Sequence, residues 1–67
     1  MEITQVAKIA CDTGACPTIF ATDRDTVLIQ GYVLPAGTVR MDVPTGEFIV
    51  EIPRGLLIEG AAAVRDR

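Results

Sequence analysis

Thr26-Val27-Leu28-Ile29-Gln30-Gly31-Tyr32-Val33-Leu34 is dense in β-branched and aromatic side chains and reads as a strand. Successive strand side chains point to opposite faces. Val27, Ile29 and Val33 therefore share one face, and Leu28, Tyr32 and Leu34 the other. Both faces are apolar, and a strand apolar on both faces is usually covered on both. The rest of this chain can cover one. The other calls for a partner, and Val27, Ile29, Tyr32, Val33 and Leu34 are the expected buried or interface residues. Gly31, inside the run, marks a bulge or a close backbone approach.

On the C-terminal side, Pro35-Ala36-Gly37 reads as a turn. Val39, Met41 and Val43 then alternate with Arg40 and Asp42, and Phe48, Val50 and Ile52 resume the period of two after the turn Pro44-Thr45-Gly46-Glu47. A hairpin over residues 39–52 would set Val43 opposite Phe48, Met41 opposite Val50 and Val39 opposite Ile52 on one face. Arg40 would then face Glu51 on the other. Pro53 stops the strand and can open a helix. Leu56, Leu57, Gly60, Ala61 and Val64 fall near helical spacing, which predicts a short helix over residues 54–63. A further strand over 56–64 is the alternative.

On the N-terminal side, residues 18–22 and residues 3–10 read as strands, separated by the turn-rich Cys11-Asp12-Thr13-Gly14-Ala15-Cys16-Pro17. The expected fold is mainly β. It is a small antiparallel sheet or meander of about five strands with a short C-terminal helix (α+β), one domain over residues 1–67, in a dimer.

The totals support a partner. A chain of 67 residues is hydrophobic over 49% of its length, with mean hydropathy +0.37. One core of this size rarely supplies more than about 3–5 kcal/mol, so a disulfide, a metal or a second subunit is the usual supplement. Net charge is −3 and pI about 4.6, with no basic stripe, which disfavours direct nucleic acid binding. No apolar run reaches the roughly 18 residues of a membrane span. Residues 1–10 lack the basic and long apolar regions of a signal peptide. A cytoplasmic protein is expected.

The chain has no His, and the nearest to a catalytic constellation are Cys11, Cys16 and Asp12. Four residues separate the cysteines. Plain buried thiols are the ordinary reading. A disulfide between them is geometrically open if the loop folds back. A zinc site shared by two subunits is the third reading, since one pair supplies half of a tetrahedral set. No cofactor is expected. A cysteine nucleophile would normally need a neighbouring base, and imidazole is absent.

Two resemblances follow from these residues. Asp12-Thr13-Gly14-Ala15, with Ile9 and Ala10 before it and Thr18, Ile19 and Phe20 after, resembles the active-site loop of retroviral-type aspartic proteases. That resemblance implies a β-rich homodimer with Asp12 as the shared catalytic carboxylate. The chain lacks a glycine-rich flap, and Glu59 interrupts Leu57-Ile58-Glu59-Gly60, the nearest match to the family's later apolar element. An ordinary turn is the simpler reading. Over most of its length, through Cys11–Thr18, Thr22–Tyr32, Val50–Arg54 and Leu56-Leu57, the chain looks like short actinobacterial proteins of no established activity. Those proteins are encoded near helix-turn-helix regulators. The resemblance implies an acidic accessory protein that docks on a regulator.

The expected function is therefore a non-enzymatic protein–protein interaction module. A thiol or metal module on Cys11 and Cys16, and the aspartic protease, are the alternatives.

Overall fold

The computed structural model describes residues 1–10, 16–35 and 37–65. The chain runs β1 (Ile3–Lys8), β2 (Thr18–Thr22), β3 (Val27–Gln30), β4 (Tyr32–Val33), β5 (Val50–Glu51) and α1 (Arg54–Val64). Strands β1, β2 and β3 form one antiparallel sheet with β2 in the middle. Strands β4 and β5 form a second, two-stranded sheet. The mainly-β architecture and the C-terminal helix are as expected, and residues 56–64 are not a strand.

The central strand sets the register. Ile19 lies opposite Ile29 and Ala21 opposite Val27 on β3, while Phe20 faces Leu28. On β1 the register shifts between Gln5 and Ala7. This bulge turns Ala7 to the same face as Ile19, its register partner.

The β2–β3 connection is tied by Thr22, whose Oγ1 accepts the N–H groups of Arg24 at 3.1 Å and Thr26 at 3.3 Å. Asp25 sits between them at φ +59, a conformation that Asp tolerates better than most residues.

Helix α1 packs on β1 and β2. Its inward residues are Leu56, fully buried, Gly60, and the half-buried Val64, one stripe at a spacing of four. Pro53, extended at φ −61 and ψ 142, sits at the N-cap, and its carbonyl accepts the Leu56 N–H at 3.0 Å. Ala7, Ile19 and Leu56 are the centre of the core, with Val6, Ile9 and Ile52 packed against it. The core is small because only one narrow stripe of the helix faces the sheet.

Two sequence expectations are corrected. The stretch 26–34 is not one strand. It divides at Gly31 into β3 and β4, which belong to different sheets. A Cβ on Gly31 would stand 2.7 Å from Ile52 Cγ2 and 2.8 Å from the Glu51 carbonyl oxygen. The expected close backbone approach is therefore the contact with β5. Gly31→Ala is expected to destabilise the domain by about 1–3 kcal/mol, the usual cost of overpacking, and to loosen the β4–β5 pair. A urea midpoint equal to that of the wild type would contradict this.

The hairpin over residues 39–52 does not form. Glu51 pairs with Tyr32 and Val50 with Val33, so Arg40 is not opposite Glu51 and Met41 is not opposite Val50. Residues 39–49 hold no strand. The turn explains this. Glu47 N–H bonds to the Pro44 carbonyl at 3.1 Å with Gly46 at φ +92, and Thr45 is not at positive φ. Positive φ at the third position alone is the type II pattern. Its twist tends to splay the flanking chains, whereas two-residue hairpins favour a type I′ or II′ turn. Correct alternation cannot overcome a turn of the wrong hand.

Candidate interaction surface

The residues expected to meet a partner are placed by two strands and the residue that follows them. Val27 and Ile29 lie on β3, on the sheet face shared with Ile19, Ala21 and the helix. The helix packs on the other two strands, so they remain 44% and 40% exposed. Leu28 points to the opposite face and is 39% exposed. Tyr32 and Val33, on β4, are 53% and 68% exposed, and Leu34 is half-buried. The five expected residues therefore do not form one continuous face, because Gly31 separates the two strands that carry them.

Sequence reasoning missed the neighbouring apolar concavity. Residues of the segment 34–49 and Val33 bound an open hollow of about 430 Å³, lined chiefly by Leu34, Val39, Met41, Val43, Phe48 and Ile49. These are largely the side chains assigned to the hairpin's inner face, now without a second strand to lie on. The signal was present in the sequence, since the alternating apolar face of residues 39–52 needs a cover.

The total surface, polar and apolar together, is large for the mass. The chain exposes 5440 Å². A compact monomer of its 7.1 kDa mass would expose roughly 4,100 Å². Its radius of gyration, 13.1 Å, also exceeds the roughly 11 Å of a compact chain of this length.

The sheet has two edges, and they differ. Edge β1 carries Lys8 and the bulge, both features that blunt strand pairing. Edge β3 reads Val-Leu-Ile-Gln and carries neither charge nor bulge. Its outward backbone groups follow from the ladder. Thr22 N–H bonds to the Thr26 carbonyl at 3.1 Å, so Thr26, and by alternation Leu28 and Gln30, direct their backbone groups to β2. Val27 and Ile29 direct theirs outward.

Cys16 is disulfide-bonded and buried at 3% exposure. The other cysteine, Cys11, lies outside the described residues. The Cys16 carbonyl accepts Thr18 Oγ1 at 2.8 Å and Gln30 Nε2 at 3.0 Å, which fastens the residue to both β2 and β3. A plain thiol was the ordinary expectation for this residue, and the structure differs. In this state Cys16 presents no thiolate to a metal. Among the described residues no group of three or more His, Cys, Asp or Glu could hold a metal ion. Asp12, Thr13 and Gly14 lie outside the described residues, and the protease reading with them.

A second open hollow, about 550 Å³, runs from Val64 past Ala21 to Asp23, Asp25 and Val27. Asp23 accepts the Glu2 N–H at 3.2 Å, a bond that closes the sheet end. No described helix is long and apolar enough to cross a membrane. No family model matches the chain, and neither curated proteins nor solved structures give a match.

Proposed function

We propose that this chain is a non-enzymatic interaction module whose first partner is a second copy of itself. The observation that carries the reading is the exposed surface. It exceeds that of a compact monomer by about 1,300 Å², and a standard interface takes about 800 Å² from each partner. Dimerisation would cover apolar side chains that the small core leaves in water. The resemblance to proteins encoded near helix-turn-helix regulators makes such a regulator the second partner, met through acidic surface rather than through DNA. The test is Val27→Lys, which places a charge of the kind that blunts natural edges on β3. Light scattering should show the mass falling from twice 7.1 kDa to 7.1 kDa, with the thermal transition retained. An unchanged dimer would count against Val27 as part of the contact.

The state of Cys16 favours a second reading, a thiol-linked staple or switch. A cytoplasmic location would expose the bond to reduction. Alkylation of the denatured protein followed by peptide mapping is expected to leave Cys16 unlabelled until a reductant is added. Labelling of Cys16 without reductant would remove this reading.

A further inference from the structure

We infer that β3 pairs antiparallel with β3 of a second copy, across a two-fold axis at Leu28, to join two three-stranded sheets into one of six strands. The inference rests on the reading of the chain as a self-associating module and specifies where and in what register it associates.

Three observations lead to it. The first is the contrast between the edges. The bulge and Lys8 protect β1, whereas Val27–Gln30 has nothing to repel an incoming strand.

The second is the direction of the backbone. Only Val27 and Ile29 turn their N–H and C=O groups outward along β3. An antiparallel ladder bonds outward residue to outward residue. The register that satisfies both copies therefore sets Val27 opposite Ile29 of the second copy, Leu28 opposite Leu28, and Ile29 opposite Val27. Each Val–Ile pair exchanges two bonds, and the Leu28 pair occupies the close, non-hydrogen-bonded site between them. The same register sets Thr26 opposite Gln30 and stops short of Gly31, where Glu51 and Ile52 of the same chain already pack. The net charge of −3 on each copy thus brings no two carboxylates together across the strands.

The third is area. A second copy is the occupant that an isologous contact serves twice, and the surface excess of about 1,300 Å² per chain exceeds what a standard dimer takes. Helix α1 covers β1 and β2, which leaves the strip of sheet beside β3 open for the second subunit.

Cysteine cross-linking tests the register. Opposed Cα atoms at a non-hydrogen-bonded site stand about 4.5 Å apart, within reach of a disulfide. Leu28→Cys is expected to oxidise to a covalent dimer on a non-reducing denaturing gel, on which the wild type runs as a monomer. Val27→Cys is expected not to, because the two copies of residue 27 are offset by two positions and stand roughly 8 Å apart. Amide exchange on the wild type gives a readout free of substitution. The Val27 and Ile29 amides should be protected in the associated state and exchange freely on dilution, while the Leu28 amide stays protected in both. If the wild type is a dimer but Leu28→Cys does not cross-link and the Val27 and Ile29 amides exchange freely, the edge pairing is wrong and the self-association reading stands. Cross-linking of Phe48→Cys in that case would move the contact to the segment 34–49. If the wild type is a monomer, both fall.

Discussion

Leu56→Ala is expected to cost about 2–5 kcal/mol, which is most of the stability a core this small supplies. Leu56 is fully buried and, with Ala7 and Ile19, forms the centre of the only core cluster among the described residues. Truncation would remove contacts to both β1 and β2 at the point where the helix docks. Little nearby can collapse into the space, because Ala7 and Gly60 are already small. A domain of this length holds roughly 3–5 kcal/mol in total, so the variant should be largely unfolded at 25 °C by far-UV circular dichroism. Leu57→Ala is the control. Leu57, the next residue around the helix, is 54% exposed, and its truncation should change the stability measured in urea by less than about 0.5 kcal/mol. Equal effects of the two substitutions would mean that the helix docks on a different face.

The second large effect is a coupling. A Cβ on Gly60 would overlap Ile19 Cδ1 and stand 3.4 Å from its Cγ1 and Cγ2. Ile19 is 3% exposed on the central strand, so its terminal Cδ1 can yield only by a χ2 rotation within a buried site. Two terms oppose each other in Gly60→Ala. Alanine gains about 1 kcal/mol in helix propensity over glycine, and overpacking costs about 1–3 kcal/mol. The overlap with a buried, β-branched neighbour makes the second term the larger, so net destabilisation is expected. Ile19→Val deletes the Cδ1 atom responsible, at about 0.5–1.5 kcal/mol on its own. In the double variant the clash is gone while the propensity gain remains. Its stability should exceed the additive expectation by 1 kcal/mol or more, within the range seen for residues in contact. Strict additivity in a denaturant cycle would show that the helix does not press Gly60 onto Ile19.

Local signals were readable where local physics decides the outcome. Residues 18–22 are a strand because Thr, Ile and Phe favour the pleat and Pro17 precedes them, and the structure keeps those bounds. The helix follows Pro53 and runs one residue beyond the expected end. Gly31 announced a bulge or a close backbone approach, although not that β5 would be the neighbour. The hairpin failed for a reason that alternation cannot encode. The period of two fixes which side chains share a face, but the hand of the turn fixes whether two such segments meet. Gly46 at positive φ in the third position opens them apart. Once residues 39–49 were released, Val50 and Glu51 paired with β4.

The candidate site was legible in the same uneven way. The surplus of apolar residues on residues 26–34 pointed to buried or interface side chains, and within the single chain Val27, Ile29, Tyr32 and Val33 are not buried. The division of that surface between two sheets could not be read, because it depends on a contact between Gly31 and a segment about twenty residues away. The concavity over Val39, Met41 and Phe48 was hidden by the hairpin reading, which had already assigned those side chains a partner strand. The bulge that distinguishes β1 from β3 has no clear mark in Ile3–Lys8. It arises from the pairing with β2.

The proposed association with a second copy would cover apolar surface that the chain leaves in water. Sedimentation equilibrium of the wild type through a micromolar dilution series tests it most directly. The expected mass is twice 7.1 kDa, giving way to the monomer only on dilution. A mass of 7.1 kDa at every concentration would contradict it.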